Sequence, residues 1–247
     1  MQSEPEATHE AKSPTLPPMP TPTGEGGDRN SSTSIYLWRT ALIAVSLAVW
    51  FGTQGLLARR NFPSDGIGDG LFRLTEHLHR FLQMNPAWAD GLLIVSSLGI
   101  DLIGGFLLLR GAFGPSIRPF LGLLLIFALR QICQGLVWLP EPPGMIWRNP
   151  GMPSLLVTYE TSTDLFFSAH TALAVFGATE LARWPIRGLK ILGIGLVLFE
   201  ATTVIILRAH YTMDVFAGAV TALWVAEIVG RLSQPVDRLL ARTGQSG

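Results

Sequence analysis

The chain has 247 residues, 48% of them hydrophobic and only 15% charged, with a mean hydropathy of +0.37 and no formal net charge. A soluble domain carries about 25% charged residues, so a fully water-solvated globule is excluded, and the balanced charge argues against nucleic acid as a partner. The lone cysteine, Cys133, lies in an apolar run, which excludes a disulfide framework and a zinc site built from cysteine.

Residues 1–35 are rich in Pro, Ser, Thr, Glu and Gly and offer little to bury, so they are expected to form a disordered cytoplasmic tail. The first apolar stretch comes too late for a secretory signal, and the first span serves as the insertion signal. Apolar runs near the roughly 20 residues that cross a bilayer follow at Leu37–Leu57, Ala87–Leu109, Ile117–Leu139, Leu165–Ala182, Leu189–Leu207 and Met213–Leu232. Arg208 and His210 separate the last two, because a charge at the bilayer centre costs about 2.5–3.5 kcal/mol on insertion scales. The expected fold is all-α: a polytopic membrane protein of about six transmembrane helices over residues 36–232, with a cytoplasmic C-terminal tail over 233–247. Basic residues concentrate on the side of the termini and of the second and fourth loops (Arg110, Arg118, Arg183, Arg187 and Lys190 among them), which places both termini in the cytoplasm.

Between the first two spans, Leu71, Leu74, Leu78, Phe81 and Leu82 recur at helical spacing among Arg73, Glu76, His77, His79 and Arg80. That pattern predicts an amphipathic helix lying in the membrane interface. His77 and His79, two apart, point to different helix faces and make a poor metal pair.

The third apolar run carries Arg130, two to three turns before the Leu139-Pro140-Glu141-Pro142 stop. An intramembrane arginine faces the bundle interior and holds something negative, either a lipid phosphate or a structural partner such as Asp101 or Glu200. Asp164 is expected to cap the fourth span. Glu200, mid-span, is open between a functional role and a structural bond. Tyr159, Trp138, Phe167 and Tyr211 are near the expected mouth, where aromatic faces either hold a quaternary ammonium or simply form the interfacial belt.

Two short stretches carry the chemistry. Ser168-Ala169-His170-Thr171 opens the fourth span, and His210-Tyr211-Thr212-Met213-Asp214 opens the sixth. In His210-x-x-x-Asp214 the two residues share a helix face, so the carboxylate can accept an N–H from one ring nitrogen and leave the other nucleophilic. A helix N-terminus also welcomes an anion through its unpaired N–H groups. From His170 to His210 the chain crosses twice, so both histidines return to one side, which by parity is the periplasm or an organelle lumen, in a bacterial inner membrane or in the endoplasmic reticulum or Golgi.

In this order and spacing, Leu-Pro-x-Pro after an Arg-bearing span, Ser-Ala-His-Thr and His-Tyr-Thr-x-Asp resemble the motifs of the sphingomyelin synthase family, a branch of the type 2 phosphatidic acid phosphatase superfamily. Within it, Leu78-His79-Arg80 and Arg208-Ala209-His210-Tyr211-Thr212 look closer to plant phosphatidylcholine:diacylglycerol cholinephosphotransferase, and the likeness covers about residues 70–230. It implies a ping-pong transfer of a phospho-headgroup between membrane lipids without cofactor or metal. By the resemblance, His210 attacks phosphorus with Asp214 orienting it, and His170 protonates the departing diacylglycerol and then deprotonates the acceptor, diacylglycerol or ceramide. The family's usual Ser-Gly-His reads Ser168-Ala169-His170 here, and the basic Lys…Arg-Pro motif of the superfamily's phosphatases has no counterpart. Substrate charge would then be met by Arg130 and Arg208, with Ser168 and Tyr211 as further binding residues. Two alternatives remain at this stage: a lipid phosphate phosphatase or phospholipase C-like hydrolase, in which water replaces the acceptor, and a non-catalytic lipid-binding homologue.

Overall fold

The computed structural model describes residues 28–57, 67–157, 159 and 165–243. Among these residues every regular element is a helix: α1 Asp28–Leu57, α2 Gly70–Leu74, α3 Glu76–Met84, α4 Pro86–Phe113, α5 Arg118–Leu136, α6 Ala169–Leu181, α7 Arg187–Ile206 and α8 Thr212–Thr243. The chain divides into two compact units, residues 1–62 and 63–247. Of the expected tail, residues 1–27 lie outside the described residues, as does Asp164, the expected cap.

The first unit is represented by α1, on which the expected first span falls. It turns Leu42, Ile43, Val45, Trp50 and Phe51 outward.

In the second unit, four helices are long and apolar enough to cross a membrane: α4, α5, α7, and α8 as far as Leu239. This is an integral membrane protein. Its helices are apolar on both sides, with Leu102, Leu124, Ile191, Leu198, Phe216 and Trp224 facing out, as a lipid solvent requires. α5 ends at Leu136, three residues before the expected end at Leu139, with Val137 already extended ahead of the Pro-rich stop. α8 runs as one helix through Pro235 to Thr243, past the start of the expected C-terminal tail.

The run read as the fourth span is shorter as a helix than as a hydropathy segment. Leu165–Ser168 stay outside α6, because Ser168 caps it with its hydroxyl accepting from Thr171 N. The 13 residues of α6, Ala169–Leu181, form the centre of the bundle, packed against α4, α5, α7 and α8. Helices in lipid gain little from the hydrophobic effect against one another and depend on close packing, which small residues permit. Gly122 of α5 is an instance: a Cβ there would stand 1.9 Å from Cζ of Phe176 on α6. Gly177 of α6 likewise admits Ile103 of α4, whose Cγ1 would lie 2.1 Å from such a Cβ.

The segment expected to lie in the membrane interface is two short helices broken at Thr75. Leu71, Leu74, Leu78 and Phe81 stay exposed, an apolar face suited to lipid, while Phe72, His79 and Leu82 are buried. The inward face grips the turn between α7 and α8: His79 Nδ1 lies 2.7 Å from Ile206 O. Asp69 caps α2 by accepting from Leu71 N at 2.9 Å. The same carboxylate accepts from Thr212 N and Thr212 Oγ1, both at 2.6 Å.

Candidate functional site

Two helix beginnings meet at the site. His170 is the second residue of α6, and His210 stands two residues before α8. They are joined through backbone, since Ser168 N donates to Asp214 O at 3.1 Å. Gly218, one turn further along α8, permits that approach: a Cβ at this position would come within 2.6 Å of Ser168 O.

The Asp214 carboxylate serves two neighbours. Oδ2 accepts from Tyr211 N at 2.9 Å, the reach-back of a third-position acid to the capping residue of its own helix, and lies 3.7 Å from His210 Nδ1. The expected i, i+4 pairing is thus a close approach, longer than a hydrogen bond. Asp214 is fully buried and His210 nearly so. His210 Nδ1, Asp214 Oδ1 and His170 Nε2 have no hydrogen-bond partner among the described residues.

Both histidines border one cavity of about 350 Å³, together with Arg130, Gln131 and Gln134 of α5, Ala169 of α6, and Met145 and Trp147 of the long α5–α6 connection. Arg130 Nε donates to Phe167 O at 3.0 Å, which ties α5 to the chain entering α6. The N-terminus of α6 opens on the same space, so its first N–H groups and its dipole favour negative charge there. Trp147 meets the His170 ring edge-on at 5.3 Å between centroids, and Tyr159 backs Trp147 at 4.9 Å. A cation, two imidazoles and a helix N-terminus around one space form a set of groups that can hold a phosphate and pass protons to and from its oxygens.

Other residues singled out in the sequence have different surroundings. Ser168 is wholly buried as the α6 cap. Arg208 pairs with Glu76, donates through Nη1 to Pro143 O at 2.6 Å and lies over the Phe72 ring at 5.2 Å. Hydrogen bonding by Arg80, then the charge of Arg208, holds the Glu76 carboxyl below its ordinary range. Arg208 has φ 54, a left-handed conformation that costs a non-glycine residue stability and is held by these contacts. The Tyr211 hydroxyl donates to Pro140 O at 3.2 Å and its ring stacks on Phe72 at 5.7 Å. Of the four aromatics expected at the mouth, Trp138 is exposed, Phe167 is core, Tyr159 backs Trp147 and Tyr211 stacks on Phe72; the aromatics that border the cavity are instead Trp147 and Phe127. Trp147 is missed by the sequence because it belongs to an irregular connection with no periodicity. Glu200 accepts from Ser96 Oγ at 2.6 Å, and Asp101 accepts from the backbone of Leu155 and Leu156, each at 2.9 Å.

A family model, AtPDCT1/2, that of phosphatidylcholine:diacylglycerol cholinephosphotransferases, matches residues 68–231. The chain belongs to this family. The match takes in both histidines, Arg130 and Asp214, and lies within the second compact unit. Comparison with curated proteins and with solved structures found no match in either. Membership makes the chain a cholinephosphotransferase-type enzyme of lipid metabolism.

Proposed function

We propose that this protein moves phosphocholine from phosphatidylcholine to diacylglycerol through a covalent intermediate on His210. The observation that carries the reading is the shared cavity of His170, His210 and Arg130. In the first half-reaction, His210 Nε2 attacks phosphorus while Asp214 faces Nδ1. The bond from phosphorus to the glycerol oxygen breaks, His170 gives that oxygen its proton, and diacylglycerol leaves. In the second, neutral His170 takes the proton from the hydroxyl of a new diacylglycerol as its oxygen attacks phosphorus and the P–N bond breaks. The enzyme returns to its starting protonation state, so transfer balances without a cofactor. Arg130 and the first N–H groups of α6 would hold the phosphate oxygens, and Trp147 would close the wall beside His170.

In this reading α1 and α6 complete six membrane-inserted helices with the four long ones. Both termini are cytoplasmic, and the histidines face the periplasm or an organelle lumen. Headgroup-labelled phosphatidylcholine, incubated in bilayers with the protein and with diacylglycerol and ceramide of distinguishable chain lengths, tests the proposal. Label is expected on diacylglycerol, and none in His210→Ala. Label released only as soluble phosphocholine would make the protein a hydrolase, and unchanged transfer by His210→Ala would overturn the mechanism.

A further inference from the structure

A second polar cavity, of about 310 Å³, opens at the other end of the bundle, bordered by Arg110, Arg118, Glu180, Arg183, Ser233 and Asp237. Arg118 and Arg130 both belong to α5, 12 positions apart, so the two cavities are separated by about 18 Å along that helix at 1.5 Å per residue. Arg118 is 7% exposed; its guanidinium pairs with Glu180 and donates to Ala226 O at 2.9 Å, while Nε has no partner among the described residues. Asp237 accepts from Ile117 N at 2.9 Å and Ser116 Oγ at 2.6 Å. Both carboxylates at this cavity are therefore engaged inside the protein. Arg110 lies over the Trp184 ring at 5.2 Å and Arg183 is exposed, and among the described residues neither forms an ion pair. The local excess is positive, with a buried N–H donor inside and two guanidinium groups at the rim.

Arg110 also borders an apolar groove of about 430 Å³ formed by Leu102, Phe106, Leu109 and Phe113 of α4. A cationic polar cavity and an apolar groove that share one arginine match a molecule with a phosphate at one end and an acyl chain at the other. Basic pockets between transmembrane helices hold anionic lipid headgroups by the same charge-assisted bonding. We infer that this end of the bundle binds an anionic phospholipid, its phosphate among Arg110, Arg118 and Arg183 and one acyl chain along α4. The site is distinct from the transfer site and does not depend on its assignment.

Native mass spectrometry of the purified full-length chain, titrated in detergent with phosphatidylglycerol or with phosphatidylcholine, tests the inference. The wild type is expected to retain phosphatidylglycerol preferentially. The double variant Arg110→Gln/Arg183→Gln should weaken that retention about 30-fold, from the usual contribution of one Lys or Arg near a lipid surface taken twice. Its retention of phosphatidylcholine and its thermal midpoint should not change. Equal retention of both lipids by the wild type, or of phosphatidylglycerol by wild type and variant, would overturn the inference. Displacement of phosphatidylglycerol by equimolar inorganic phosphate would assign the cavity to free phosphate and overturn the lipid as occupant.

Discussion

Substituting Gly218 by alanine tests whether the closeness of two helix ends, rather than the mere presence of two histidines, makes this site. The added Cβ would meet Ser168 O at 2.6 Å, whereas ordinary van der Waals contact begins at 3.4 Å, so about 0.8 Å (3.4 − 2.6) must be found. The obstacle is backbone at a capped helix start, which cannot rotate away as a flexible side chain could. The movement therefore falls on the spacing between α6 and α8, and the 3.1 Å bond from Ser168 N to Asp214 O lengthens with it. Overpacking of this kind costs about 1–3 kcal/mol of stability. A misplacement near 1 Å costs up to about 100-fold in rate, so turnover is expected to drop roughly 10- to 100-fold. Gly195→Ala on α7 is the control, since nothing lies within 4 Å of a Cβ there, and it should be neutral or slightly stabilising. The assay is label transfer between lipids in proteoliposomes, beside a thermal melt of each variant. Activity of Gly218→Ala within twofold of Gly195→Ala would refute the argument that this contact sets the catalytic spacing.

Asp214→Asn should lower transfer about 10²–10⁴-fold yet melt close to wild type, because the amide oxygen can still accept from Tyr211 N; a loss below tenfold would remove Asp214 from the mechanism. Asp69→Ala deletes a helix cap and both bonds to Thr212, and is expected to cost about 1–2 kcal/mol in a denaturation midpoint, with kcat falling more than KM and Asp69→Asn recovering part of each. His79 has a pKa below its ordinary 6.5, chiefly through burial, with Arg208 lowering it further and Glu76 and the Ile206 carbonyl raising it. The folded state then binds fewer protons than the unfolded one, so the stability contributed is present above pH 6.5 and lost as pH falls towards the depressed value. Thermal midpoints recorded downward from pH 7 should fall more steeply for wild type than for His79→Gln, and parallel curves would show that His79 does not carry the dependence.

The sequence is most informative where chemistry and period coincide. His170, His210 and Asp214 are legible because each stands at the edge of an apolar run, where a polar residue needs a reason, and Arg130 is legible for the same cause within a run. The stop after α5 and the apolar face of α2–α3 follow from proline chemistry and helical spacing. Arg208 is different. Its sequence neighbours suggest a ligand for phosphate, yet its partner Glu76 is 132 positions away, and no local pattern announces that pairing. Gly218 reads as one small residue among several in α8, since its meaning depends on a carbonyl fifty residues earlier. The fourth span looks continuous in hydropathy because Leu165, Phe166 and Phe167 are apolar, although a capping serine starts the helix after them.

The brevity of α6 also sets a depth. Thirteen residues rise about 20 Å, whereas the hydrocarbon core of a bilayer is about 30 Å thick. In the six-helix reading proposed above, with Arg183, just beyond the C-terminus of α6, at one water boundary, the opposite end of the helix would stop roughly 10 Å short of the other, and His170 would lie below the level at which phosphate groups normally rest. A small water-soluble phosphoester would have to leave water and sink that far, while a molecule already anchored by acyl chains needs only to settle lower in its own leaflet. In that reading, recession of His170 would act as a solubility filter on what reaches the cavity, before any contact with the headgroup is made.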